Sequence, residues 1–171
     1  MAIFCVYKLS VTEASSLLFQ SGESKYNTKY FDNFTIEIIN NTLNLDFVII
    51  KPLTRGFKVH LDFSISLGKT KHYQSVFSHI VDNCGVVAAV KSNIFKTWFQ
   101  SMLDHGNFMY NCPVIEGHYF LHNWKLDSQL VPQYLYAGDY RITGHFFFGK
   151  LKTKREEFVL DLTVFALLKR N

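Results

Sequence analysis

From Phe57 to Leu67 every odd position is apolar: Phe57, Val59, Leu61, Phe63, Ile65 and Leu67. The even positions are Lys58, His60, Asp62, Ser64 and Ser66. A period of two sustained over such a run fits one local structure, an antiparallel strand with one face on a core. A one-residue slip would bury Lys58 and Asp62 unpaired, so the odd face is expected inward and the even face in solvent. Other segments repeat the signal. Phe34 to Ile39 and Leu43 to Ile50 flank the polar turn Asn40-Asn41-Thr42, and Tyr73 to Val81 follows the turn Gly68-Lys69-Thr70 as a hairpin partner. Gly117 to Leu126, Gly138 to Phe148 and Phe158 to Leu168 read as three more strands. In these, Tyr140, Ile142, Phe146 and Phe148 share one face, and Phe158, Leu160, Leu162 and Val164 share another.

The period changes once. Ile94, Phe95, Trp98, Met102 and Leu103 recur at helical spacing, with Ser92 as N-cap and Gly106 beyond the end. This predicts one helix of about 13 residues. About seven or eight strands with one short helix between them give an all-β chain, an immunoglobulin-like β-sandwich opened as a cup. No repeat, linker or low-complexity tract divides it. Residues 17–171 are expected to form a single domain.

Residues 1–16 read either as a degenerate signal peptide or as the remnant of a misassigned start. Ala2 to Tyr7 is apolar, Lys8 interrupts it, and Ala14-Ser15-Ser16 offers small residues for cleavage. Cys5 lies in that stretch, which leaves Cys84 and Cys112 as an even pair in the mature chain. Two readings of that pair remain, a disulfide or two buried thiols. The strand-end context of Cys84 and the proline after Cys112 favour the disulfide, which would tie the helix to the sheet. Asn33-Phe34-Thr35 and Asn40-Asn41-Thr42 are glycosylation sequons, and with the cysteine pair they lean towards an extracellular, secreted protein.

Reactive chemistry is sparse. No CxxC or HExxH is present, and Cys84 and Cys112 are too far apart for a zinc knuckle. Seven histidines are scattered; His118 and His122 lie about 13 Å apart along a strand, too far to share an ion. Glu156 and Glu157 are adjacent and point to opposite sides of a strand. A GxSxG elbow and a phosphate-cradling glycine loop are absent. The cluster Lys150, Lys152, Lys154 and Arg155 reads as a solvated hairpin tip, within a formal charge of only +4. No catalytic residue, metal, cofactor or nucleic-acid partner is expected.

What remains is the aromatic load, seventeen Phe and nine Tyr in 171 residues. Each ring alone reads as core. Together, in a sandwich whose sheets are spread apart, they would line an apolar pocket. Phe63, Trp98, Phe120, Trp124, Phe146 and Phe148 are the candidate ligand-binding side chains. On the strand from Gly117, Tyr119 and Leu121 compete with Phe120 and Trp124 for the inward face.

The segments Asp82-Asn83-Cys84, Ser92-Asn93, Asn111-Cys112-Pro113 and Gly138-Asp139-Tyr140-Arg141 carry a resemblance. Over about residues 30–168 the chain resembles the insect secreted proteins related to the chemosensory protein B group, distant members of the ML lipid-recognition superfamily that includes the ganglioside activator protein. The resemblance implies a cup-like sandwich holding a lipid or other hydrophobic ligand without chemistry, with Cys84 and Cys112 as the family's cysteine pair. It implies an extracellular role in chemosensation or pheromone detection, with a membrane receptor as a further candidate partner. The competing reading is an extracellular structural or interaction module with a closed aromatic core; a hydrolase-like enzyme is a third. A void of roughly 300–1,000 Å³ with apolar walls favours the carrier, and a filled interior the module.

Overall fold

The computed structural model describes residues 15–85, 94–108 and 112–170. Eight strands and one helix run in the order β1 (Ser15–Tyr26), β2 (Phe31–Ile39), β3 (Thr42–Ile49), β4 (Lys58–Ser66), β5 (Gln74–Asp82), α1 (Ile94–Leu103), β6 (Gly117–Trp124), β7 (Gly138–Phe148) and β8 (Glu157–Arg170). All ladders are antiparallel, in a five-stranded sheet β1-β8-β7-β4-β5 and a three-stranded sheet β2-β3-β6. Their apolar faces meet, so the expected all-β sandwich with a single short helix is the fold. The hairpin between β2 and β3 turns through Asn40 and Asn41 at φ 50° and 62°. Two successive positive φ values match the right-handed twist of the flanking strands, and asparagine tolerates them better than most residues.

The sheets close on one side and stay apart on the other. At the closed side β1 packs on β2, and the Ile36 side chain fills the space where Gly22 would carry a Cβ, 2.6 Å from that position. At the other side α1 lies against β6 while Trp98 stacks on Phe63 of β4 at 5.1 Å. Gly106 bridges to Leu121, and a Cβ there would stand 2.1 Å from the Phe120 carbonyl oxygen. It therefore serves the close approach of the post-helical loop to β6.

Four expectations are corrected. The helix has 10 residues, and the Ser92 cap lies outside the described residues, as do the side chains of Ile94 and Phe95. The even face of β4 is not uniformly solvated: Ser64 and Ser66 are buried, while Leu67 past the strand end is 64% exposed. β4 is an interior strand of its sheet, and its buried hydroxyls find local acceptors, Ser64 on Asp62 and Ser66 on the Thr70 carbonyl. Phe158 faces outward, because a bulge opposite Phe146 and Phe147 resets β8 and sends both Val159 and Leu160 to the interior. Asn27 secures that bulge, donating from its backbone N–H to the Val159 carbonyl and from Nδ2 to the Phe158 carbonyl. Finally, β1 was not anticipated. Ser15 and Ser16, read as the end of a signal peptide, pair with Arg170 and Lys169; residues 1–14, with Cys5, lie outside the described residues.

The outer face of the larger sheet carries an ionic cluster. His145 Nε2 meets Glu156 Oε1 at 2.6 Å, its Nδ1 bonds Asp161, and the rings of Phe147 and Phe158 stack on it at 5.5 and 6.0 Å. Its register partner His60 bonds Ser78 Oγ. Glu157, as its adjacency to Glu156 requires, points elsewhere and pairs with Lys29 and Tyr30. Burial opposes a charge on His145, but the hydrogen bonds from Asp161 and Glu156 outweigh it and raise its pKa above the ordinary 6.5. The Lys152 backbone N–H and then His145 hold the Glu156 carboxyl below the ordinary 4.5.

The raised His145 value stabilises the fold fully below the ordinary histidine value, and that contribution is lost as pH rises through the raised one. Glu156 contributes above the ordinary glutamate value and stops contributing as pH falls through its lowered one. The thermal midpoint is therefore expected to peak between the two ordinary values and to decline towards alkaline pH. Thermal melts followed by circular dichroism over about pH 4 to 9 check this. In His145→Gln the alkaline decline should disappear.

Candidate functional site: an apolar cavity between the sheets

Strand alternation sends one face of each sheet inward, and the gap left by α1 encloses a cavity of about 340 Å³. Its wall runs from Phe31, Phe34 and Phe47 on the smaller sheet to Val59, Phe63, Ile142, Phe146, Leu160 and Leu162 on the larger, with Trp98, Phe99 and Met102 of α1 along one side. Aromatic stacking makes the walls stiff. Phe47 stacks between Phe34 at 4.9 Å and Tyr119 at 5.7 Å, with Phe108 at 5.9 Å, and Phe63 stacks on Phe77 at 4.5 Å. Such pairs contribute on the order of 1 kcal/mol each beyond the area they bury.

The wall's few polar atoms are largely spoken for. Trp98 Nε1 donates to the Leu130 carbonyl at 2.9 Å, Trp124 Nε1 to Ser101 Oγ at 3.1 Å, and Tyr119 OH to the Ile115 carbonyl at 2.9 Å. Burial pushes the Tyr119 hydroxyl pKa up, so it stays neutral. No charged side chain stands among the described residues of the wall. Such a surface is suited to an apolar, uncharged molecule.

Four of the six expected ligand-binding residues line this cavity: Phe63, Trp98, Trp124 and Phe146. Phe148 shares the inward face but packs beyond the cavity end, on Phe57 at 5.6 Å and Tyr30 at 5.7 Å. Phe120 points away, stacking on His122 at 4.6 Å. The competition on β6 is resolved by a bulge, for Leu43 pairs with Trp124 and Leu45 with Leu121. Asn123 takes φ 56° there, its N–H donating to Asn44 Oδ1, so Tyr119, Leu121 and Trp124 all turn inward. The share of the wall that β2 and β3 contribute was not among the expected site residues, although the alternation Leu43, Leu45, Phe47, Ile49 already pointed to it.

At one end of the cavity Cys84 and Cys112 form the disulfide, with Cα atoms 5.4 Å apart. Asp82 Oδ1 accepts the backbone N–H groups of Cys84 and Gly85, and Asn83 N–H donates to the Phe57 carbonyl, so this corner is held by backbone and staple together. Asn83 lines the cavity, and its side-chain Nδ2 is buried without a hydrogen-bond partner. The sequon residues Asn33 and Asn40 are both exposed. Among the described residues no group of histidine, cysteine and acidic side chains is placed to hold a metal ion. His118 bonds Asp46, His105 bonds the Ser101 carbonyl, and His122 stacks on Phe120.

Residues 59–142 match a family described as proteins of unknown function, DUF1091. Comparison with curated proteins finds no match. The matched span runs from β4 into β7 and includes the disulfide, Asn83, α1 and β6.

Replacing Cys84 and Cys112 together by serine is expected to lower stability by about 3 kcal/mol, the loop-closure contribution for a ring of this size. A urea titration of the double variant checks this. An unchanged midpoint would show that the corner is held without the staple.

Proposed function

We propose that this chain is a secreted, non-enzymatic carrier that holds a lipid or other hydrophobic small molecule between its two sheets. The observation that carries the reading is the cavity itself. At about 340 Å³ it falls in the range of small-molecule sites, and cores without a ligand to hold close-pack. The alternative, an interaction module with a closed aromatic core, calls for a filled interior and is disfavoured by that volume. The disulfide and the exposed sequons support an extracellular setting, where such bonds persist. The resemblance to the chemosensory protein B group and the ML superfamily supports a role in chemosensation, with delivery to a membrane receptor as the step that follows capture.

The neutral fluorophore N-phenyl-1-naphthylamine should brighten on binding the wild-type chain. Phe146 is half-buried on the cavity wall, and a ring contact of this kind is worth on the order of 1 kcal/mol. Phe146→Ala should accordingly weaken uptake by about fivefold. Leu162→Trp should abolish it by filling the void, with circular dichroism unchanged in both variants. A wild-type chain that takes up no apolar probe overturns the carrier reading.

A further inference from the structure

The wall is apolar almost throughout, yet one amide stands in it. Asn83 lines the cavity, and its Nδ2 is buried and has no partner. The polar atoms of Trp98, Trp124 and Tyr119 are bonded within the protein, so they compete neither for a ligand nor for Asn83. The backbone that carries it is fixed. The Asn83 N–H donates to the Phe57 carbonyl at 3.0 Å, Asp82 folds the turn beneath it, and the neighbouring Cys84 is tied to Cys112. A buried donor left unmade is costly, and a leucine of similar size would avoid that cost. Polar groups kept in an apolar pocket orient what binds there and select for it.

Resting on the carrier reading, we propose that Asn83 is the polar anchor of the cavity. It selects a neutral, mostly apolar molecule bearing one hydrogen-bond acceptor, a carbonyl or ester oxygen, over a plain hydrocarbon. The acceptor receives the Nδ2 hydrogen while the chain lies along the Phe63, Ile142 and Phe146 wall. The absence of a cation among the described wall residues disfavours a carboxylate, which would enter the site uncompensated.

The test is displacement of N-phenyl-1-naphthylamine from the full chain by methyl nonanoate, decane and nonanoate at neutral pH. Asn83→Leu should weaken methyl nonanoate by about tenfold and leave decane unchanged, since only the ester loses a hydrogen bond. Nonanoate should be the poorest competitor for the wild type. If the leucine variant fails to fold, Asn83→Ala deletes the same amide and should show the same ester-specific loss. Equal shifts for ester and alkane, or none for either, overturn the anchor while leaving the carrier standing. A wild-type chain that binds no probe overturns the carrier reading, and the anchor falls with it.

Discussion

The helix is bonded to both sheets, and the space between them depends on it. Trp98 stacks on Phe63 of the larger sheet, and Trp124 of the smaller sheet donates its indole N–H to Ser101 on the same helix. Trp98 also reaches the Leu130 carbonyl in the connection before β7. Ten residues of helix thus occupy the side where the sheets would otherwise meet. At the opposite side β1 packs on β2, and Gly22 lets Ile36 approach without a Cβ in the way. A sandwich closed along one side and wedged along the other cannot fill its interior with its own side chains, however many rings it carries.

That geometry explains why so aromatic a chain keeps a cavity. Many wall rings have a ring partner beside them in the wall, as in the run Phe34, Phe47, Tyr119 and the pair Phe57 and Phe146. Stacked laterally, the rings are held at the wall and do not swing inward. Their indole and hydroxyl groups point outward to backbone and serine acceptors. The charged residues sit on the outside, as with His145 between Glu156 and Asp161. Among the described residues of the wall, Asn83 supplies the one amide side chain.

Much of the frame was legible because alternation is a local rule. The odd positions of β4 and the inward face of β7 followed from the residues themselves, and the strand-end context of Cys84 with the proline after Cys112 favoured a disulfide over two buried thiols. What escaped the sequence depends on partner strands. Phe120 and Phe158 face outward because bulges at Asn123 and Val159 break the alternation, and each bulge is held by a distant side chain, Asn44 or Asn27. Nothing near Phe120 in the chain announces Asn44. Ser64 and Ser66 are buried because β4 lies inside its sheet, a property of strand order that no single strand carries. β1 escaped for a different reason. Its second half, Gln20 to Lys25, is polar, and it is a strand because β8 offers a free edge and Leu17 and Phe19 anchor it to the core.

The matched span and the cavity divide the work of the site. Residues 59–142 hold the wedge α1, the staple, the anchor Asn83 and the β4 wall. The surfaces facing them, Phe31, Phe34 and Phe47 on one side and Leu160, Leu162 and Val164 on the other, lie outside that span. The part that keeps the sheets apart and fixes a polar group is therefore separate in sequence from much of the surface that shapes the void. Substitutions at Phe47 or Leu162 can alter the length and width of what fits without touching the wedge or the amide. Changes at Trp98 act on whether the void exists, and on the proposed anchor role changes at Asn83 act on which end of a guest is recognised. On the carrier reading proposed above, ligand shape and ligand polarity are in this way assigned to different segments of one chain.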